Sequence, residues 1–258
     1  RPAGIFDREI CGKNKLLMPG LYNCHAHTAM TLFRGYGEDL PLQDWLNTRI
    51  FPAEDRLTSE AVYNASMLAA AEMIRAGIVS FSDMYFFCED TIRAVAETGM
   101  KANIARCITC FNPDETPETD TRYKEAMALY HQYHNSFDGR IKMDMSVHAE
   151  YTTQPNAIRY VAEAAKEYGL HMHVHMSETE SEHNECIARH GKTPAQHFND
   201  LGVFDVPTIA AHCVWVSDDD IALMAEKGVF AAHNPTSNLK LGSGVMPLWK
   251  MHRGGVKV

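Results

Sequence analysis

Short apolar runs recur along the chain, and the segments between them carry apolar residues at three- and four-residue spacing. An apolar run bounded by turn residues is typical of a buried strand, and the wider spacing is typical of a helix with one buried face. Strands are predicted at eight runs: residues 20–28, 78–85, 101–110, 141–150, 171–177, 208–215, 229–234 and 255–258. The last run stops at Val258, so we expect the eighth strand to be incomplete.

Helices are predicted between the strands. The clearest begins near Ser59 and Glu60 and stops at Gly77, since polar residues at the start and a glycine after the end are common helix boundaries. The predicted helices are residues 58–76, 89–97, 123–133, 156–168, 194–201 and 218–227. Alternating strands and helices indicate an α/β fold, and we predict a (β/α)8 TIM-type barrel that is incomplete at its eighth strand. An open doubly wound sheet is the alternative, although residues 24–28 do not form the glycine-rich phosphate loop that it would need.

Composition and charge limit the classes of partner. The chain has 258 residues, 45% of them hydrophobic, and a single barrel of this type takes about 250 residues. Lys and Arg total 24 against 33 Asp and Glu, and the net charge of -9 argues against a nucleic-acid partner. No stretch approaches the roughly 20 apolar residues of a membrane span, and residues 1–10 lack the apolar region of a signal peptide. We therefore expect no membrane partner and a cytoplasmic location.

The seven cysteines are scattered through apolar segments, which favours free buried thiols over a disulfide framework. Cys107 and Cys110 form a C-x-x-C pair, but on a strand their side chains face opposite sides and cannot bind one metal ion together. The H-x-E of zinc-dependent cytidine-type deaminases occurs at residues 148–150, yet no P-C-x-x-C follows it. We exclude that type of deaminase.

Five of the fourteen histidines are predicted to converge. His25 and His27 lie two residues apart on the first predicted strand, so both rings point to the same side. His148, His175 and His212 lie near the ends of the fourth, fifth and sixth predicted strands, and barrel active sites form at this face. Because each buried ring needs a hydrogen-bond partner, a shared metal ion explains these histidines better than an apolar core does.

A divalent metal ion is predicted on His25, His27 and His175. Three neutral rings suit Zn²⁺ with one open position for water, whose pKa falls to about 7 in such sites. Fe, Mn or Ni are alternatives. Glu178 follows His175 by three residues and is predicted to shuttle protons, the alternative being a solvated loop carboxylate. The solvated interpretation fits most of the neighbouring acids: Glu180, Glu182 and Glu185.

Several motifs together resemble one family. They are MPGL at 18–21, HAHT at 25–28, LFRG at 32–35, HMSET at 175–179, AHC at 211–213, HNP at 233–235 and SNLKLG at 237–242. From about residue 16 to 258 the chain resembles the amidohydrolase superfamily, in the branch of aminohydrolases and chlorohydrolases that includes 5-methylthioadenosine and S-adenosylhomocysteine deaminases. The resemblance implies one metal ion on the three predicted ligands, Glu178 as general acid, and His212 positioning the attacking water.

The same resemblance implies five substrate contacts. Glu54 would accept hydrogen bonds from ribose hydroxyls, and Trp45 would lie against the sugar or thioether. Arg106 would face a carboxylate or the sugar, and Arg122 and His148 complete the set. The implied reaction is hydrolytic deamination at C6 of the adenine of S-adenosylhomocysteine or 5-methylthioadenosine, with release of ammonia. The family also tends to form oligomers, so a homo-oligomer is an expectation.

Two other functions stay open on the sequence. One is deamination or dechlorination of another heterocycle, such as guanine, a pterin or a triazine. The other is a non-catalytic barrel that binds a ligand or partner, because the family carries a further metal-binding Asp early in the eighth strand and this chain stops at Val258. We expect residues 1–15 to be a remnant or linker of the family's β-sandwich domain and residues 16–258 to be the metal-dependent barrel.

Overall fold

Seven parallel strands form the central sheet of the computed structural model, which describes residues 4–258. They are β1 (Leu21–Ala26), β2 (Ile78–Tyr85), β3 (Lys101–Arg106), β4 (Ile141–Ser146), β5 (Met172–Met176), β6 (Thr208–His212) and β7 (Phe230–Ala232). Each strand pairs with the next one along the chain, and every pairing is parallel. Within the described residues β7 and β1 are not paired, so the barrel is nearly closed with one open seam. The predicted incomplete barrel is confirmed.

The eighth predicted strand is present only as a bridge. Lys257 forms a single isolated parallel bridge with Phe230 of β7. The backbone N–H of Ala231 donates to the Lys257 carbonyl at 2.8 Å. This short contact does not close the sheet onto β1.

Some predicted strands are longer than the observed ones. The prediction carried the third strand to residue 110, whereas β3 ends at Arg106. Beyond it, Ile108 is fully buried and forms only an isolated bridge with Val147. An apolar run indicates that residues are buried, but it does not show that they are hydrogen-bonded within a sheet. The prediction therefore included buried residues that lie beyond the end of the strand.

Helices cover the sheet between successive strands. They are α1 (Leu42–Trp45), α2 (Phe51–Glu54), α3 (Ser59–Arg75), α4 (Cys88–Thr98), α5 (Thr121–Tyr133), α6 (Ser136–Gly139), α7 (Pro155–Tyr168), α8 (Glu180–His190), α9 (Pro194–Asp200), α10 (Asp218–Lys227), α11 (Pro235–Lys240) and α12 (Leu248–Arg253). The six predicted helices correspond to α3, α4, α5, α7, α9 and α10. Shorter turns are 3-10 at Thr28–Phe33, Glu150–Thr152 and Val203–Asp205, and π at Leu46–Ile50. Among residues 4–258 no helix combines the length and apolar character needed to cross a bilayer.

The sequence did not predict α8, the helix that follows β5. Its sequence is mostly polar, and only Glu182 and Cys186 are buried, so it lacks a clear apolar periodicity. Its first turn is nevertheless capped, because the Thr179 hydroxyl accepts a hydrogen bond from the backbone N–H of Glu182. The segment after Glu178 is therefore a helix, and the solvated interpretation is wrong for Glu182, which is buried.

The core lies between the sheet and the helices. One hydrophobic cluster packs β5 and β6 against α7 and contains Met172 and Ile158. A second packs β2, β3 and β4 against α4 and contains Ile104 and Ile92. These clusters fix the strands whose carboxyl ends carry the histidines.

All seven cysteines are free, and five of them are buried. Cys107 and Cys110 are among the buried ones, as expected. The expectation of buried thiols is wrong for Cys11 and Cys24, which are exposed. Cys11 lies within residues 4–20, most of whose side chains are exposed.

Residues 4–20 contain neither helix nor strand. Their apolar side chains are largely exposed, Leu17 by 98%. The assignment of residues 1–15 to a remnant or linker and of residues 16–258 to the barrel stays a prediction, and residues 1–3 lie outside the described residues.

Candidate metal centre and cavity

Four histidine rings converge at the carboxyl ends of three strands. His25 lies near the end of β1, His27 directly follows this strand, His175 lies in β5, and β6 ends at His212. The centroid of the His25 ring is 4.7 Å from that of His27, 4.9 Å from that of His175 and 5.3 Å from that of His212. One nitrogen each of His25, His175 and His212 lie within 4.8 Å of one another. Two of the three predicted ligands, His25 and His175, therefore form this group with His212. The third, His27, lies beside the group, with its Nε2 close to that of His175.

Each of these four rings has its Nδ1 engaged by a neighbour. The partner is His173 Nε2 at 2.9 Å for His25, the Met84 carbonyl for His27, the His148 carbonyl at 2.7 Å for His175, and Asn238 Oδ1 at 2.8 Å for His212. An oxygen of a carbonyl group only accepts, so a ring that faces one carries its proton on Nδ1 and keeps a lone pair on Nε2. Partners of this kind fix metal-binding histidines in one tautomer and one orientation.

The spacing and charge of the rings fit a cation. His27 Nε2 lies 3.2 Å from His175 Nε2, although both rings use Nδ1 as the donor. Two nitrogen ligands, each about 2.0–2.1 Å from a tetrahedral ion, lie about 3.4 Å apart. Burial lowers the pKa of His27 and of His212 to about 4, so these rings are neutral at pH 7. Neutral, oriented and closely spaced imidazoles are a donor set that fits a divalent metal ion.

Glu178 lies beside this cluster. It follows β5, is buried, and places Oε1 3.4 Å from His212 Nδ1. Burial raises the pKa of Glu178 to about 8, so the carboxyl group can hold a proton near neutral pH. A solvated loop carboxylate, the alternative interpretation, is inconsistent with this burial.

A cavity of about 440 Å³ opens above the histidines and Glu178. This volume suits a small-molecule ligand. The turns and short helices between β1 and α3 supply much of its apolar wall, and the wall includes Met30, Phe33, Leu42, Leu46, Ile50 and Phe86. An apolar cavity with a few polar groups at its floor is a common arrangement for a binding site.

Three of the five predicted substrate contacts line this cavity: Trp45, Glu54 and His148. Glu54 Oε1 accepts a hydrogen bond from the Tyr85 hydroxyl at 2.6 Å, and burial raises the pKa of Glu54 to about 7. Trp45 Nε1 is buried with no hydrogen-bond partner among the described residues. A donor of this kind is available to an acceptor on a ligand.

The two predicted arginine contacts are not brought into the cavity lining. Arg106 Nε donates to Glu125 Oε2 at 2.7 Å. Arg122 Nε donates to Asp120 Oδ1 at 2.8 Å. Both guanidinium groups therefore form ion pairs with carboxylates that lie near the start of α5 or directly before it. The sequence alone could not predict these pairs.

The model of the amidohydrolase family matches residues 16–258. The chain belongs to the amidohydrolase family. It is 46% identical to the 5-methylthioadenosine/S-adenosylhomocysteine deaminase of Dictyoglomus thermophilum over 98% of this chain and 58% of that protein. It is 44% identical to the 5'-deoxyadenosine deaminase of Methanosarcina mazei over the same shares of the two chains. The chain thus spans about three-fifths of the length of these curated relatives.

A solved structure with a similar fold is the zinc-bound adenosine deaminase from Xanthomonas campestris. The two structures superpose with a TM-score of 0.85 at 33% identity, over 93% of this chain and 54% of that one. The fold that this amidohydrolase chain shares with that structure therefore covers nearly all of the described residues.

Sequence reasoning missed three residues of the amidohydrolase site. His173 and Asn238 hold the Nδ1 atoms of His25 and His212, and Tyr85 holds Glu54. His173 precedes His175 by two residues on one strand, and this spacing could have indicated that both rings face the same side. Asn238 lies within the SNLKLG motif, whose sequence gives no sign of its partner.

His173→Phe is expected to weaken metal binding by about 10- to 100-fold, because the variant leaves the Nδ1 of His25 without its partner while keeping a ring in the space. Competition with a chromogenic chelator measures the affinity. His252→Phe, at an exposed position, is the control and should bind the metal as the wild type does. Equal affinities for the wild type and His173→Phe would show that the contact does not support the ligand.

Glu54→Gln is expected to stabilise the chain more at pH 8 than at pH 5. The pKa of Glu54 is raised to about 7 in the folded state from an ordinary value of 4.5, so ionisation destabilises the fold as pH rises through this window. One pKa unit corresponds to about 1.4 kcal/mol, so the difference between the two pH values should reach about 2 kcal/mol in urea unfolding. Glu163→Gln, on the exposed side of α7, should show no such dependence. A pH-independent effect of Glu54→Gln would contradict the argument.

Proposed function

We propose that the protein is a metal-dependent deaminase that hydrolyses the C6 amino group of an adenine thio-nucleoside, S-adenosylhomocysteine or 5-methylthioadenosine, and releases ammonia. The observation that carries the proposal is the set of four histidine rings with fixed Nδ1 atoms at the floor of a cavity that also contains Glu178. The deaminase relatives, which share 40–46% identity with this chain, support it.

His25, His27 and His175 are the proposed metal ligands, and His212 is within reach of the same centre. Zn²⁺ is the proposed ion, with Fe, Mn or Ni as alternatives. A divalent metal ion in such a site lowers the pKa of the attacking water and acts as a Lewis acid. The zinc in the Xanthomonas campestris structure supports this choice of ion.

Glu178 moves the protons. Its carboxyl group accepts a proton from the attacking water and delivers it to a ring nitrogen of adenine. It then takes the remaining proton of the hydroxyl group newly bonded to C6 and gives it to the amine, so that the C–N bond breaks, ammonia leaves and a C6 carbonyl remains. Its burial beside His212 supports this role, because a carboxyl group with a pKa raised to about 8 can both hold and release a proton near neutral pH. His212 orients the attacking water, because its neutral ring keeps a lone pair on Nε2 that can accept a hydrogen bond from this water.

The cavity wall binds the nucleoside. Glu54 accepts hydrogen bonds from the ribose hydroxyls, Trp45 lies against the sugar or thioether, and His148 contacts the substrate at the floor. Arg106 and Arg122 stay proposed contacts for a carboxylate or the sugar. Each arginine would first have to exchange the carboxylate partner that it has in this structure.

The test is to incubate zinc-loaded protein with S-adenosylhomocysteine, 5-methylthioadenosine, 5'-deoxyadenosine and guanine. Conversion of adenine to hypoxanthine, and of guanine to xanthine, is followed by ultraviolet absorbance. Turnover of the thio-nucleosides that Glu54→Ala strongly reduces in kcat/KM would support the proposal. Turnover of a free base that Glu54→Ala leaves unchanged would favour another heterocycle, and a protein that binds no metal and turns over no substrate would favour a non-catalytic barrel.

Small molecules are the only partners that we propose, and the net charge of -9 supports the exclusion of nucleic acid. The cytoplasmic location and the lack of a membrane partner stay predictions. A homo-oligomer also stays a prediction, and light scattering on the purified protein measures it.

A further inference from the structure

Glu182 is a buried carboxylate that the proposed reaction does not use. Only 3% of its surface is exposed, although it lies on the otherwise polar helix α8. Its Oε1 accepts the backbone N–H of Ser177 at 2.8 Å, and its Oε2 accepts the backbone N–H of Glu178 at 2.7 Å. Both carboxylate oxygens are therefore committed to the turn between β5 and α8.

This arrangement departs from an ordinary helix cap. Thr179 is the N-cap of α8, which makes Glu182 the third residue of the helix. In a capping box the carboxylate at this position accepts the backbone N–H of the N-cap itself. Here the carboxylate reaches past the N-cap to the two preceding residues, one of which is Glu178. The side chain of Glu182 thus stabilises the turn that precedes the helix rather than the N-cap of the helix.

The turn that Glu182 holds is not a conformation that the chain adopts easily. Ser177 has a φ of 49°, which lies in the left-handed region, where the Cβ of a non-glycine residue is crowded by the backbone. The Ser177 carbonyl accepts the backbone N–H groups of Val214 and Trp215 at 3.0 and 2.9 Å. Ser177 is consequently fixed on one side by Glu182 and on the other by the segment that follows β6.

These contacts connect the two strand ends that carry Glu178 and His212. The backbone N–H of Cys213 donates to the Met176 carbonyl at 3.0 Å, next to the contacts of Ser177. The carboxyl group of Glu178 then lies 3.4 Å from His212 Nδ1. A shift of about 1 Å in a reacting group can lower a rate by about 10²-fold, so the turn has to be held firmly.

We propose that Glu182 is a positioning residue, which holds Glu178 in place over the histidine cluster by accepting the backbone N–H groups of Ser177 and Glu178. The proposal rests on the proposed function, because it assigns Glu182 to the proton transfers of that reaction. Glu182 itself does not touch the substrate or the reacting atoms.

Two substitutions test the contact in different ways. Glu182→Gln keeps the length of the side chain but replaces one acceptor oxygen by a donor, which cannot accept an N–H. Glu182→Asp keeps both carboxyl oxygens but is one methylene shorter, and it cannot reach both N–H groups. The control is Glu185→Gln on the same helix, since the side chain of Glu185 is 65% exposed.

The first measurement is hydrogen exchange of the backbone amides of Ser177 and Glu178 in the zinc-loaded protein. We expect at least one of these two amides to exchange faster in Glu182→Gln and in Glu182→Asp, while the exchange of β5 and the metal content stay unchanged. Unchanged exchange in both variants would overturn the proposal. This result does not depend on any activity, so it stays informative if the protein turns out not to deaminate nucleosides.

The second measurement is the kinetics of the deamination. We expect kcat to fall by about 10²-fold in both variants, while KM changes by less than about threefold and Glu185→Gln matches the wild type. A normal kcat in a variant whose amides exchange faster would overturn the proposal. A fall in kcat that is accompanied by loss of metal or by a general loss of protection would assign Glu182 to the stability of the fold and would also overturn it.

Discussion

Glu178→Gln is expected to lower kcat for nucleoside deamination by about 10²- to 10⁴-fold, because an amide cannot accept and return the proton that a positioned carboxyl group transfers. The substitution preserves the shape of a buried side chain, so metal content and KM should stay close to those of the wild type. Steady-state kinetics and metal analysis of the purified variant measure both quantities.

The matched control for this substitution is Glu180→Gln, two residues further along the chain at an exposed position. It should retain full activity. A Glu178→Gln variant that keeps more than about a tenth of the wild-type kcat would contradict the role of Glu178 as the general acid. Loss of metal in this variant would point instead to a contribution of the carboxyl group to the metal site.

His175→Ala is expected to abolish both metal retention and deamination, because it removes one of the three proposed ligands, the ring whose Nε2 lies 3.2 Å from that of His27. Metal binding also stabilises the folded state, by about 4 kcal/mol at a free metal concentration of 1,000 times Kd. The wild type should therefore melt at a lower temperature after treatment with a chelator.

The comparison of melting temperatures with and without chelator measures this second effect. The chelator should lower the Tm of the wild type and leave the Tm of His175→Ala unchanged. His131→Ala, at an exposed position in α5, is the control and should respond to the chelator as the wild type does. If His175→Ala still bound one metal ion per chain with wild-type affinity, the assignment of His175 as a ligand would be wrong.

Much of the fold could be predicted, because β5 and the other strands are short apolar runs separated by amphipathic segments. The seven observed strands all coincide with predicted ones, and six helices were predicted. The helix α8 was missed for a physical reason. Its buried face consists of Glu182 and Cys186 rather than a row of apolar side chains, so the pattern from which a helix is predicted was absent.

The candidate site could be predicted in part. His25 and His27 have the two-residue spacing of a strand, and His175 and His212 end apolar runs, so their convergence followed from the barrel. The positions of Arg106 and Arg122 did not follow, because each arginine forms an ion pair with an acid that is close in the structure. Whether a charged side chain faces a cavity or a neighbouring carboxylate depends on its final surroundings rather than on its own strand or helix.

The sequence by itself determined the periodicity of the strands, the order of the barrel and the histidines at the ends of its strands. These properties are local, since they depend on residue types and spacings within one segment. The tertiary structure alone decided which atom holds each ring, that His173 and Asn238 fix His25 and His212, and that Glu182 reaches back to Glu178. A hydrogen bond requires its two groups to lie within about 3 Å of each other. Those contacts therefore depend on the relative positions of segments and turns, which are fixed only when the core has packed.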